Sequence, residues 1–178
     1  MDLPAPTPTT GSQTIGPYWH LLYEPDWKDL TRFGATGEKI YLEGTVRDGD
    51  GKLVTDACIE LWQSSPPASE TFQGFGRCAT DEHGKFQFTT LKPQPEPGRG
   101  NAMQAPHFNI TILARGILIA IHTRAYFENE PLNEVDPLLS MIEDPKRKAT
   151  LIAKKTGDNT WHTDIRLQGE DETVFLEI

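Results

Sequence analysis

The side chains able to do metal, acid–base or nucleophilic chemistry in this chain are few and scattered. Five histidines are present, His20, His83, His107, His122 and His162. Imidazole is the commonest protein ligand for a metal and the commonest general base near neutral pH. None of the five sits in a His-Glu-x-x-His helix, and no phosphate-binding loop, dinucleotide fingerprint or nucleophile elbow occurs. His107 follows a proline-rich loop and opens an extended segment, a position suited to a ligand. His83 falls in a turn, His122 amid apolar neighbours and His162 at a strand start, where a solvated or hydrogen-bonded ring is the expected role. Cys58 and Cys78 have neither metal spacing nor a disulfide framework, so they read as reduced thiols of a cytoplasmic protein.

The elements that must position these groups are mostly strands. From Lys39, the residues Ile40, Leu42 and Val46 alternate onto one face, and Asp48-Gly49-Asp50-Gly51 supplies a turn. Further strands are expected over 57–63, 84–91, 108–114 and 117–127, then about 162–168 and 173–178. Residues 92–107, with Pro93, Pro95, Pro97 and Pro106, read as irregular. Between Asp136 and Lys155, apolar positions up to Leu151 and Ile152 suit one or two short helices, with Pro145 starting one. The expected fold is all-β: a mostly antiparallel β-sandwich over 39–178 with a short helical insert near 136–155. Ahead of it, residues 1–38 form an extended arm. Its Tyr18, Trp19, Tyr23, Trp27 and Phe33 predict packing on its own domain or on a partner chain.

The bulk numbers exclude other classes. The 178 residues fit one domain, and 37% apolar with 24% charged residues is a globular composition. The 15 glycines and 14 prolines are spread in short turns, as many short strands require. A net charge of -9 disfavours nucleic acid, which needs clustered cations. The N-terminal residues lack the basic and apolar regions of a signal peptide, and no stretch approaches the ~20 apolar residues of a membrane span.

Taken in order, several segments resemble the intradiol ring-cleaving dioxygenases. Ser12-Gln13-Thr14-Ile15-Gly16-Pro17-Tyr18 resembles their N-terminal arm. Gly44 to Gly51 with Ala57-Cys58-Ile59-Glu60-Leu61-Trp62-Gln63 resembles their hairpin. Gly76 to Asp81, Leu91-Lys92-Pro93, Ala105-Pro106-His107-Phe108-Asn109, His122 to Phe127 and Asp164 to Gly169 continue in the family's order, over roughly residues 8–178.

The resemblance implies a ferric ion held by two tyrosines and two histidines, and this chain departs from that set. Ser64 to Glu70, where the first tyrosine belongs, contains none. Glu96 stands at the place of the second, and the His-x-His pair reads His107-Phe108-Asn109. One histidine of four ligands remains, so His107, Asn109 and Glu96 are read as vestigial positions and no metal is expected here.

The family's heteromeric branch pairs such a chain with a homologous iron-bearing one, in a higher oligomer whose active site lies between the two. By resemblance, Thr14, Gly16, Pro17 and Tyr18 of the arm, with Arg124, would line the substrate pocket beside the partner's Fe3+. The implied substrates are protocatechuate and O2, and the implied product is 3-carboxy-cis,cis-muconate. An arginine fork suits the substrate carboxylate. The plainer role for Arg124 is a rim residue or interface salt bridge, and for Gly16-Pro17-Tyr18 a turn anchoring the arm. A non-enzymatic β-sandwich binding module is the alternative of another class. A homomeric dioxygenase acting alone is disfavoured by the missing tyrosines.

Overall fold

In the computed structural model, which describes residues 11, 13–16, 18–98, 100 and 102–177, the alternation after Lys39 becomes strand β1 (Lys39–Arg47). Ile40, Leu42 and Val46 are fully buried on its inner side. Gly44 holds the remaining inward position because a Cβ there would collide with the Thr163 carbonyl and the Phe86 ring. The turn that follows is held by Asp48, whose carboxylate accepts from the amides of Asp50 at 3.0 Å and Lys52 at 2.9 Å. Gly51 supplies the left-handed residue at φ 80°.

Further strands are β2 (Cys58–Trp62), β3 (Phe75–Ala79), β4 (Lys85–Leu91), β5 (Glu96–Pro97), β6 (Met103–Gln104), β7 (His107–Leu113), β8 (Ile121–Phe127), β9 (Ile152–Gly157) and β10 (Thr160–Arg166). Eight of them form one sheet in the order β3-β2-β7-β8-β9-β10-β1-β4, and β5 pairs with β6. Within the sheet the pairs are antiparallel except β1 with β10 and β8 with β9, which run parallel. The end strands β3 and β4 approach each other, so the sheet folds over on itself as a nearly closed sandwich.

The core fills the space between its halves. Ile59, Leu61, Phe108, Ile110 and Phe127 on one side meet Ile40, Leu42, Phe88, Trp161 and Ile165 on the other. The Phe127 ring stands edge-on to Trp161 with centroids 5.2 Å apart, a favoured aromatic geometry. Gln63 crosses this space: its amide donates to the Leu91 carbonyl at 2.9 Å and accepts from the Thr90 hydroxyl at 2.5 Å. The end of β2 is thereby tied to the end of β4. Cys58 and Cys78 are free thiols in this interior, and burial pushes Cys58 up to about 12.

Several segments differ from the expectation. β3 is a strand where none was expected, because β2 pairs with it, and β5 and β6 pair within the stretch expected to be irregular. Leu118 and Ile119 lie outside any strand and are exposed, because β7 ends at Leu113 and leaves the residues before Ile121 no partner. Ile152 and Lys155, expected within the helical insert, belong to β9, where Tyr126 and Phe127 of β8 pair with Ile152 and Ala153. Near the C-terminus, Leu176 makes a single bridge to His122 rather than a strand. The helices themselves are α1 (Pro137–Met141) and α2 (Pro145–Ala149), each opened by an Asp cap and a Pro. Neither they nor any other described helix is long and apolar enough to cross a membrane.

Ahead of β1, Leu30 is buried, its amide donates to the Thr89 carbonyl at 2.9 Å, and Arg77 stacks over Trp27. Tyr18, Leu21 and Leu22 face outward.

Candidate functional site

The chemistry-bearing residues collect on the outer face of β2, β7 and β8. Period two sends Phe108, Ile110 and Ile112 of β7 into the core, so His107, Asn109 and Thr111 face out. Register then sets the rows across the strands. Trp62, Asn109 and Arg124 form one row, and Glu60, Thr111 and His122 the next. His107 lies opposite Tyr126 at the end of the ladder. The proline-rich loop folds back over this face through β5 and β6 and brings Glu96 and Gln104 to it. Between loop and sheet lies a cleft of about 510 Å³ lined by Trp62, Glu96, Gln104, His107, His122 and Arg124 among others.

Arg124 dominates the cleft. Its Nε donates to Asn109 Oδ1 at 3.1 Å, and its Nη1 donates to Gln104 Oε1 at 2.8 Å and to the Tyr126 hydroxyl at 3.0 Å. The Tyr126 hydroxyl in turn donates to Asp136 Oδ1 at 3.1 Å. Asp136, fully buried, also accepts from the Ala105 amide at 2.8 Å and caps α1 through the amides of Leu138 and Leu139. The Tyr126 phenol is pushed far up, first by burial and against the pull of Arg124.

His107 is buried against Tyr126, with ring centroids 5.3 Å apart. Its Nδ1 lies 2.7 Å from the Ala105 carbonyl oxygen. A carbonyl only accepts, so Nδ1 carries the proton and Nε2 of the neutral ring keeps its lone pair. Burial, then the Arg124 charge, holds His107 below its ordinary 6.5, against smaller opposing effects of the Ala105 hydrogen bond, Glu96 and Asp136. On the neighbouring row His122 Nδ1 lies 3.0 Å from the Thr111 hydroxyl.

This donor set does not fit a ferric ion. Asn109 spends its carbonyl oxygen on Arg124, and the guanidinium fixes a positive charge where a cation would have to enter. Among the described residues no group of three or more His, Cys, Asp or Glu is placed to hold a metal.

The arm residues are elsewhere. The Thr14 hydroxyl donates to the Ala114 carbonyl at 2.9 Å, just past the far end of β7 from His107, roughly 20 Å along the strand at ~3.3 Å per residue. Gly16 has φ 75°, a conformation that favours glycine, and Tyr18 is exposed; Pro17 lies outside the described residues. A single chain therefore brings Arg124, His107, Asn109 and Glu96 together but not the arm. The sequence reading did not single out Gln104, Tyr126 or Asp136. The signals were available: Tyr126 alternates with Arg124, and Asp136-Pro137 is a helix-start pair.

Comparison with known proteins gives the chain's family and fold. A family model described as "Dioxygenase" matches residues 16–169. The protocatechuate 3,4-dioxygenase alpha chain of Pseudomonas putida is 39% identical, over 96% of this chain and 96% of the relative. The beta chain of that enzyme from Burkholderia cepacia is 29% identical, over 93% of this chain and 78% of the relative. Among solved structures, the dioxygenase domain of a carbohydrate-binding fusion from Streptomyces sp. SirexAA-E superposes with a TM-score of 0.63 at 25% identity, over 93% of this chain and 99% of that one.

Proposed function

This chain belongs to the intradiol ring-cleavage dioxygenases, and we propose that it is the non-iron-binding alpha subunit of a protocatechuate 3,4-dioxygenase. It works in a cytoplasmic αβ assembly whose homologous beta chain holds the Fe3+. One observation carries the reading: near full-length likeness to an alpha chain coincides with a ligand set reduced to His107 and a guanidinium lodged beside it.

In this reading ring opening takes place at the partner's ferric centre, and the present chain contributes recognition. The arm with Thr14, Gly16, Pro17 and Tyr18 reaches across to line the partner's pocket. Its outward-facing Tyr18, Leu21 and Leu22 are apolar surface left for a second chain to cover. Arg124 binds the substrate carboxylate. Its three acceptors hold the guanidinium in one orientation, so little side-chain freedom is lost when an anion docks.

Iron per chain and visible absorbance, measured on the polypeptide expressed alone, test the first claim. The expected protein is colourless, iron-free and inactive, and gains ring cleavage when co-expressed with its iron-bearing partner. A coloured protein with one iron per chain would overturn the reading. Arg124→Ala in the assembly is expected to raise KM for protocatechuate about tenfold or more, the cost of a lost charged hydrogen bond, with less change in kcat. An unchanged KM puts Arg124 outside the pocket.

A further inference from the structure

The cleft around Arg124 is more than a lost metal site, because its polar groups remain set for a ligand of a different kind. Its volume, about 510 Å³, falls in the range of small-molecule sites. Arg124 spends Nε and Nη1 on Asn109, Gln104 and Tyr126, while Nη2 makes no hydrogen bond among the described residues. His107 spends Nδ1 on the Ala105 carbonyl, which leaves Nε2 as an acceptor. Nε2 has no partner among the described residues. It is not sealed off either, since the one enclosed side-chain nitrogen or oxygen lacking a partner there is Asn133 Oδ1. His107 is only 2% exposed, and it is among the residues that line the cleft. Trp62, 47% exposed, offers a flat apolar wall beside them.

These groups select among ligands. A bare metal ion would suit His107 but meets the charge of Arg124. A simple inorganic anion would suit Arg124 but sets its lone pairs against His107 Nε2 and the Glu96 carboxylate. Both demands are met by a planar molecule with a carboxylate at one end and a hydroxyl donor at another. We propose that this cleft binds a small hydroxylated aromatic acid without iron, its carboxylate on Arg124, a ring hydroxyl donating to His107 Nε2 and its ring against Trp62. The proposal rests on the reading that Arg124 takes a carboxylate, but it needs no partner chain.

The test is titration calorimetry of the full-length, iron-free chain with 3-hydroxybenzoate, 4-hydroxybenzoate, benzoate and phenol. Neither hydroxybenzoate has the adjacent hydroxyl pair that ring cleavage consumes. One site per chain is expected, with at least one hydroxybenzoate binding about tenfold or more tighter than benzoate and than phenol, the effect of one hydrogen bond to a charged or buried group. Arg124→Gln, with its fold checked by circular dichroism, is expected to abolish binding. Trp62→Leu, a substitution at a half-exposed wall, is expected to weaken it severalfold. Absence of binding overturns the proposal, as does a benzoate affinity equal to that of both hydroxybenzoates or binding untouched by Arg124→Gln. The two readings fail separately. A raised KM for Arg124→Ala in the assembly without iron-free binding removes the cleft site alone. Iron-free binding by a chain that joins no iron-bearing partner removes the subunit reading alone.

Discussion

Asp136 is where a single substitution should disturb the fold and the cleft together. Its carboxylate is fully buried and accepts four hydrogen bonds: Tyr126 hydroxyl, Leu138 amide and Leu139 amide on Oδ1, and Ala105 amide on Oδ2. Asp136→Ala removes a helix cap, costing about 1 kcal/mol. It also orphans the Ala105 N–H and the Tyr126 O–H, both on fully buried residues, at roughly 1–3 kcal/mol each. The expected loss is about 3–7 kcal/mol, at the lower end if water enters the space vacated. Asp136→Asn keeps one oxygen for Tyr126 and the helix amides but turns an NH2 toward the Ala105 N–H, so about 1–3 kcal/mol is expected. Urea unfolding followed by the fluorescence of the four tryptophans gives both values from midpoint and slope. If Asp136→Ala falls within about 0.5 kcal/mol of wild type, the usual range of a neutral surface change, the hydrogen-bond accounting is wrong. Equal losses for Asn and Ala would be as damaging, because the argument assigns different partners to the two oxygens.

Other substitutions probe the same logic at separate places. Gln63→Leu removes both amide hydrogen bonds that tie β2 to the Thr90–Leu91 end of β4 while keeping similar volume, and should cost about 2–4 kcal/mol in the same unfolding assay; a neutral effect would mean the sandwich does not depend on that tie. His107 makes stability pH-dependent. Its folded value lies below its ordinary 6.5, chiefly through burial, so the unfolded chain binds the proton first as pH falls. The stabilisation is complete above pH 6.5 and is lost progressively below it. Urea midpoints at about pH 7.5 and 5.5 should therefore differ more for wild type than for His107→Gln, and equal differences would show that other groups govern acid sensitivity.

Much of the fold was legible because its signals are local. Ile40, Leu42 and Val46 alternate, and the strand they predict has all three in the core. Asp48 and Gly51 carry their turn within a few residues. Strand β9 was not legible, since what makes Ile152 and Ala153 extended is a parallel partner some 26 positions earlier in the chain. Without that partner the same apolar residues fit a short helix equally well. Leu118 and Ile119 show the converse, strand-like residues left outside the sheet because no neighbour reaches them.

The sequence by itself determined which residue types the candidate site has to work with. Ser64 to Glu70 contains no tyrosine, and Glu96, His107 and Asn109 are the groups that the loop and β7 carry, all of which is identity rather than arrangement. The tertiary structure alone decided what those residues touch. Register across β7 and β8 sets Asn109 opposite Arg124, the folded-back loop adds Gln104, and Asp136 holds Tyr126 beneath them. Those contacts join residues 15, 20 and 10 positions apart. Periodicity tells a residue which face it occupies, but only the pairing of distant strands tells it what stands opposite, and a guanidinium bonded to Asn109 is a fact of the second kind.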